Sequence, residues 1–155
     1  MKSHAYTVRM TWTGNDGEGT ASYRSYRRDH EIRGDHKAPI AGSSDPAFRG
    51  DPARYSPEEL LVAALSSCHM LWYLHLCAVK GVVVTDYCDQ AWGEMQENAD
   101  GSGQFSRVIL RPRVTLAAGS EVVAARALHA EAHRYCFLAR SVNFPVECEP
   151  QIVGG

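Results

Sequence analysis

The chain has 155 residues, a formal net charge of -2, 45% apolar residues and 22% charged residues. These values are ordinary for a soluble globular protein, and the length fits a single domain, residues 1–155, with a core of its own. Proteins that hold nucleic acid are usually basic, so the weakly acidic balance argues against a nucleic-acid partner.

The first part of the chain carries strand patterns. Residues 5–13 alternate between apolar and polar side chains, which predicts a half-buried strand. The Gly-Asn-Asp-Gly sequence at 14–17 is a hairpin turn signal, so residues 20–27 are predicted to form a second strand. Residues 30–33 predict a short third strand.

A long segment without periodicity, residues 34–56, follows these strands. Its Pro, Gly and Ser residues predict a loop or arm, and long ordered loops in compact domains tend to be functional. Arg49 and Arg54 lie in this segment. They are candidate functional residues, although most loop arginines are solvated surface charges.

The longest apolar stretch, residues 57–80, predicts the central helix of the protein. Ser56 is a suitable N-cap, acidic residues in the first turn complement the helix dipole, and Gly81 ends the helix. Apolar residues lie nearly all round it, which predicts burial on most faces. Polar residues inside the stretch favour a buried helix over a membrane span, so no membrane partner is expected; they are Ser66, Ser67, His69 and His75.

The second half of the chain predicts a β-hairpin, a helix and a last strand. Residues 82–97 and 105–116 are each predicted to form one long strand, with an edge position or bulge at Pro112. Residues 121–140 predict a second helix, and a short strand ends near Ile152. The order β-β-(β)-α-β-β-α-β predicts an α+β domain with antiparallel sheet.

Cysteine usage predicts the compartment. The chain has five cysteines, Cys68, Cys77, Cys88, Cys136 and Cys148, without a Cys-x-x-Cys pair. The polar first ten residues do not resemble a signal peptide. An odd count without a signal peptide argues against a secreted disulfide framework, so a cytoplasmic location is expected.

Cys68 and Cys136 are the candidate reactive thiols, because each lies on a predicted helix in an otherwise apolar or Ala-rich face. One interpretation is that they are small buried hydrophobes, like the other three cysteines. A second is a metal site, since His129, His133 and Cys136 share a helix face and Cys68 is available to complete the set.

The third interpretation is a thiol redox pair, in which one cysteine attacks a substrate and the other resolves it as a disulfide. This chemistry requires a nearby cation to stabilise the thiolate. Arg49 or Arg54 is the expected cation, and Glu58 is suitably charged to orient it.

The sequence Ser-Pro-Glu-Glu-Leu-Leu-Val-Ala-Ala at 56–64, followed by Ser67 and Cys68, resembles the signature of the OsmC/Ohr family of thiol peroxidases. The order of elements and the position of Cys136 are also similar to the family. The resemblance covers nearly the whole chain. It implies an OsmC-like fold: an intertwined homodimer with antiparallel sheets wrapped around two long central helices.

The resemblance also implies residue roles. Cys68 corresponds to the thiol that attacks an organic hydroperoxide and becomes a sulfenic acid, and Cys136 to the thiol that forms a disulfide with it. Glu58 matches the catalytic glutamate, and Arg49 is the best match to the catalytic arginine, with Arg54 in reserve. A dithiol reductant, lipoyl-type in some members, resets the disulfide. No cofactor or resident metal is implied.

Histidines distinguish this chain from the family pattern. His69 follows Cys68 directly, and His129 and His133 lie near Cys136 on the second helix. An imidazole beside Cys68 is expected either to help form the thiolate or to support different chemistry.

Glu58 and Cys68 are too far apart along one helix to meet. Their separation of ten residues corresponds to about 15 Å in a continuous helix. If both serve one site, either the helix breaks or Glu58 comes from a partner chain.

Three functions therefore remain open. The first is a thiol-dependent peroxidase for organic hydroperoxides. The alternatives are a non-enzymatic dimeric module, in which aromatic residues such as Trp72 and Tyr73 bind a small apolar ligand between the helices, and a metal-binding OsmC-like protein.

Overall fold

The computed structural model describes residues 1–154 and shows an α+β protein. Its strands are Arg9–Trp12 (β1), His30–Arg33 (β2), Ile40–Gly42 (β3), Val84–Asp89 (β4), Trp92–Glu97 (β5), Gly103–Leu110 (β6), Pro112–Leu116 (β7), Val146–Cys148 (β8) and Gln151–Gly154 (β9). Its two α-helices are Pro57–Lys80 (α1) and Val122–Tyr135 (α2). The chain divides into two compact units, Met1–Leu60 and the part that begins at Leu61.

The first unit contains an antiparallel sheet of order β1-β2-β3. The predicted strand at 5–13 corresponds to β1, which is shorter than predicted. The predicted strand at 30–33 corresponds to β2. The predicted strand at 20–27 is wrong, because that segment forms turns and bends. Local side-chain hydrogen bonds hold the turns: Asn15 Oδ1 accepts from the N–H groups of Gly17 and Gly19.

The predicted arm at 34–56 is more ordered than expected. It contains β3 and a short 3₁₀ helix, Pro46–Phe48, whose N-terminus is capped by the side chain of Asp45. Arg49 follows with a left-handed backbone, φ 65°.

Helix α1 begins and ends where the sequence predicts. Ser56 and Glu59 form a reciprocal capping box, since Glu59 Oε2 accepts from the Ser56 N–H at 2.8 Å and Ser56 Oγ from the Glu59 N–H at 3.2 Å. Gly81 takes φ 73° after the last turn, and the next N–H, of Val82, donates to the Cys77 carbonyl.

Burial of α1 is narrower than predicted. One stripe along the helix is buried, formed by Leu65, His69, Tyr73, Leu76 and Cys77. The prediction of burial on most faces is therefore wrong for a single chain. The helix is long and apolar enough to cross a membrane by length and composition, a weak indication that core helices of soluble proteins also give.

In the second unit, each long predicted strand divides into two. The 82–97 stretch forms β4 and β5, and the 105–116 stretch forms β6 and β7, so the hairpin contributes to two sheets of order β4-β7-β9 and β5-β6-β8. The break coincides with Pro112, which has no N–H to donate. The preceding N–H, of Arg111, donates to Asp89 Oδ1 at 2.7 Å.

The predicted last strand is two strands, β8 and β9. They pair with β6 and β7 respectively, and both pairings are parallel rather than antiparallel. Two apolar clusters lie in this unit. The first comprises Tyr73, Leu76, Cys77, Val82, Val114, Leu116, Ala125, Leu128 and Ala132, and the second Leu65, Val108, Leu110 and Val146.

Candidate active site

The two candidate thiols lie next to each other in the second unit. Cys68 projects from the middle of α1 and is half-buried, whereas Cys136 is 1% exposed. Burial raises the pKa of Cys136, and the two thiol groups are close enough that Cys68 raises it further. The structure therefore brings together two residues that are 68 positions apart along the chain, as the redox-pair interpretation requires.

The predicted helix at 121–140 places Cys136 inside a helix, and this part of the prediction is wrong. Helix α2 ends at Tyr135, and Cys136 is its C-cap with an extended backbone, φ -64° and ψ 109°. Its N–H still donates to the Ala132 carbonyl at 2.9 Å, and its Sγ accepts from the Ala139 N–H at 3.4 Å. The end of the helix therefore fixes the thiol from both sides.

Burial keeps the Cys136 thiol protonated at neutral pH. It raises the pKa of Cys136 to about 11; the Ala139 N–H opposes the shift and the neighbouring Cys68 thiol adds to it. The more exposed Cys68 is therefore the better placed of the two for contact with a substrate from solvent.

Glu58 and the two candidate arginines lie in the first unit. Glu58 is in the first turn of α1, and its Oε2 is buried without a hydrogen-bond partner among residues 1–154. Arg54 is held by acidic groups, with Nε 3.7 Å from Asp29 Oδ2 and 3.9 Å from Asp51 Oδ2. The catalytic roles of these residues stay predictions.

Arg49 differs from Arg54 in its surroundings. Its side chain is exposed and lies over the Tyr23 ring, 5.9 Å from the centroid. Within the described part of the chain it forms no ion pair, so its guanidinium is available for an outside carboxylate or substrate.

Helix α1 is continuous from Pro57 to Lys80. The separation of Glu58 and Cys68 along it therefore stays at about 15 Å. Of the two routes by which both residues could serve one site, a break in the helix is excluded.

A second cluster of reactive side chains was not predicted as a set. His69 on α1, His129 on α2 and Cys148 at the end of β8 have their ligating atoms within 4.8 Å of one another. His69 Nε2 lies 3.0 Å from His129 Nδ1, and Cys148 Sγ lies 3.7 Å from the first and 3.8 Å from the second.

Burial keeps this cluster neutral at pH 7. It lowers the pKa of His69 to about 4 and that of His129 to about 3, and it raises the pKa of Cys148 to about 12. The ring of His129 also stacks on Tyr73, with centroids 3.8 Å apart. Because His69 is neutral and its Nε2 is directed at His129, it supplies no positive charge to a Cys68 thiolate.

The metal set suggested by the helix pattern is therefore wrong in its membership. His129 and Cys136 are buried, but His133 on the same helix is exposed. Cys148, which the sequence pattern left as a buried filler, takes the third place beside His69 and His129. These residues are 60 and 79 positions apart along the chain, so no local spacing identifies them.

Aromatic side chains lie beside the thiol pair. Trp72 stacks on Tyr135 with centroids 5.2 Å apart and meets the edge of Phe137 at 5.6 Å. Tyr135 and Phe137 flank Cys136 in sequence, and both are exposed, Phe137 to 68%. The surroundings of the pair are therefore apolar and open to solvent.

The structure is an α+β scaffold of two helices and three sheets, with Cys68 on α1 near Cys136 at the end of α2. The family model of the OsmC-like proteins matches residues 50–151. This chain belongs to the OsmC family.

Solved structures agree with this assignment. An OsmC-like protein of unknown function from Vibrio cholerae is 33% identical, with a TM-score of 0.85 and coverage of 96% of this chain and 99% of that one. An organic hydroperoxide resistance protein from Elizabethkingia anophelis is 17% identical, with a TM-score of 0.68 and coverage of 100% of both chains.

A protein from Legionella pneumophila with the same description is 16% identical, with a TM-score of 0.67 and coverage of 97% and 98%. These last two similarities show the fold alone. No curated protein matches the sequence.

Proposed function

We propose that this protein is a cytoplasmic thiol-dependent peroxidase that reduces organic hydroperoxides. The observation that carries the proposal is the proximity of Cys68 to Cys136, close enough for the first thiol to add to the rise in pKa that burial causes in the second. Family members described as organic hydroperoxide resistance proteins support it.

The reaction is a two-electron reduction. The Cys68 thiolate attacks the terminal peroxide oxygen, the O–O bond breaks, and the alkoxide leaves as an alcohol after taking up a proton. Cys68 is then a sulfenic acid. Cys136 loses its proton, its thiolate attacks the sulfenic sulfur to form a disulfide, and the hydroxide that leaves takes up that proton as water. An external dithiol, supplied in the assay as dihydrolipoamide, reduces the disulfide with two electrons and two protons.

The apolar surroundings favour an organic substrate. The alkyl part of a hydroperoxide has a surface to pack on at Trp72, Tyr135 and Phe137, whereas hydrogen peroxide gains nothing from it. We expect bulky hydroperoxides to have the lower KM.

A homodimer completes the proposed site. Since α1 is continuous, Glu58 reaches a Cys68 site only from a second copy of the chain. Its buried, unpartnered Oε2 is suited to an arginine, for which Arg49 is the candidate because Arg54 is already engaged. The apolar residues that α1 leaves exposed in one chain, such as Leu71, give the second copy a surface to cover.

The central experiment measures cumene hydroperoxide consumption with dihydrolipoamide as reductant. Cys68→Ser is expected to abolish turnover, and Cys136→Ser to stop it after one equivalent, with a trapped sulfenic acid. Cys88→Ser is the matched control, because Cys88 is an exposed cysteine outside the pair. Full activity of Cys68→Ser would disprove the proposal.

Complementation tests the shared site. Glu58→Gln and Cys68→Ser are each expected to be inactive as pure proteins. When they are unfolded and refolded together in equal amounts, half of the dimers are mixed and each has one intact site, so about a quarter of the wild-type activity returns. If mixing restores nothing while each variant forms dimers, Glu58 does not act across chains.

A second candidate is a non-enzymatic module that binds a small apolar ligand. The exposed aromatic group around Trp72 favours it. Mass spectrometry after mild peroxide treatment separates the two: a Cys68–Cys136 disulfide supports the peroxidase, and unmodified thiols with a retained ligand support the binder.

A further inference from the structure

We propose that His69, His129 and Cys148 form a zinc-binding site, separate from the thiol pair and with no part in the proposed peroxidase reaction. The three residues come from three different elements, α1, α2 and β8. The fold, rather than a local motif, brings their ligating atoms together.

The distances between the ligating atoms fit one tetrahedral ion. A zinc ion bound by nitrogen at about 2.05 Å and by sulfur at about 2.3 Å places neighbouring nitrogens about 3.3 Å apart and nitrogen and sulfur about 3.6 Å apart. The observed nitrogen pair is 3.0 Å apart, and the sulfur lies 3.7 Å and 3.8 Å from the nitrogens. Shifts of a few tenths of an ångström are enough for binding.

The orientation of His129 is a second observation for the site. Its Nδ1 faces the cluster, while its Nε2 is buried without a hydrogen-bond partner among the described residues. A hydrogen bond from His69 to His129, or the reverse, leaves that Nε2 unsatisfied with either tautomer. Stacking on Tyr73 holds the ring with Nδ1 directed at His69 and Cys148, and Nε2 carries the proton when Nδ1 binds the ion.

The donor set selects the metal. Two imidazoles and a thiolate suit zinc, and hard ions such as Mg²⁺ and Ca²⁺ prefer oxygen ligands. Three protein ligands leave the fourth position for a water molecule, as in catalytic zinc sites. Binding releases the thiol proton of Cys148 to solvent.

Cobalt substitution tests the site in the full-length, reduced protein. Co²⁺ added under anaerobic conditions is expected to give a thiolate-to-metal charge-transfer band and tetrahedral d–d bands that saturate at one equivalent per chain. Zn²⁺ is expected to displace the cobalt and abolish both. X-ray absorption of the wild-type zinc form is expected to show one sulfur and two histidine nitrogens.

Variants assign the ligands. Cys148→Ser is expected to abolish the charge-transfer band, and His69→Gln and His129→Gln to abolish saturable binding. Cys88→Ser and His133→Ala are matched controls and are expected to keep the bands, since both residues lie outside the cluster.

Three results would overturn the proposal: no cobalt spectrum in the wild type, a zinc environment without sulfur, or a band that survives Cys148→Ser and disappears in Cys136→Ser. The X-ray absorption result needs no variant, so misfolding of a variant does not obscure the outcome. Hydroperoxide turnover is read separately, so failure of this site and failure of the proposed function are distinguishable.

Discussion

The two compact units are stabilised by different kinds of buried group. In the second unit the buried side chains are mostly apolar and form two clusters around α1 and α2. In the first unit the buried side chains are polar: Asp29 is 5% exposed and Ser43 is fully buried. Ser43 donates to Asp29, and the guanidinium groups of Arg27 and Arg54 lie beside the same carboxylate.

Charge is treated differently in the two units as well. In the first unit it is paired: a hydrogen bond from Arg27 lowers the pKa of the exposed Asp16. In the second unit the buried titratable groups are kept neutral, because burial shifts the pKa of each of His69, His129 and Cys136 toward the neutral form.

The comparison of the two units shows where apolar side chains stay exposed in the single chain. The alternating face of β1 and the residues before it is exposed in the single chain, from Tyr6 at 91% to Trp12 at 43%. The first unit has no apolar cluster of its own among residues 1–60 to cover this face. A unit of this kind depends on directional contacts, and the second unit depends on packing.

The largest expected effect is on the packing of the second unit. Leu65 is fully buried against Val108, Leu110 and Val146, so Leu65→Ala is expected to lower the free energy of unfolding by about 3 kcal/mol. Urea denaturation followed by far-UV circular dichroism measures the change. Val123→Ala, at a site 80% exposed on α2, is the control and should cost about 0.5 kcal/mol or less. Equal effects at the two sites would contradict the packing argument.

A smaller effect is expected in the first unit. Asp29→Asn keeps the shape of the side chain but removes the charge that Arg27 and Arg54 share, at a cost of about 2 kcal/mol. Amide hydrogen exchange in β1 and β2 is expected to accelerate, with α2 unaffected. Asp16→Asn is the control, because that exposed partner of Arg27 is worth little. Uniform acceleration across both units would show that they do not respond separately.

The smallest expected effect, counted as free energy per pH unit, is on the rate of disulfide formation. The pKa of Cys136 is about 11. At pH values below this, its thiolate fraction increases tenfold each time the pH rises by one unit. After one equivalent of hydroperoxide, we expect the rate of Cys68–Cys136 disulfide formation to rise about tenfold per pH unit between pH 7 and pH 9 in rapid-mixing experiments, which corresponds to a fall of about 1.4 kcal/mol in activation free energy per unit. A rate that stays constant over this range would show that Cys136 does not attack as the thiolate.

Sequence reasoning predicted the features that local chemistry determines. The bounds of α1 follow from Ser56 and Gly81, and the family from the motif before Cys68. The strand at 20–27 was wrong because local hydrogen bonds, such as that from the Ser22 N–H to Ser25 Oγ, stabilise turns there. The single strands at 82–97 and 105–116 were wrong because the change of sheet depends on tertiary contacts of Asp89.

The candidate sites also divide into a part that the sequence could predict and a part that it could not. The pairing of Cys68 with Cys136 was predictable as a hypothesis because the family resemblance connects the two helices. The cluster that includes Cys148 was not, because parallel pairing of β8 with β6 decides where that sulfur lies. No periodicity in the sequence carries that information.

The division of one hairpin between two sheets has a consequence for the order of folding. The turn at 98–102 closes a short loop, and pairing that proceeds outward from it forms β5 with β6 and then β4 with β7 without a further chain closure. Strands β8 and β9 join from farther along the chain and after α2, so we expect them to gain amide protection last. Pulse-labelling hydrogen exchange during refolding would contradict this order if β9 were protected before β5.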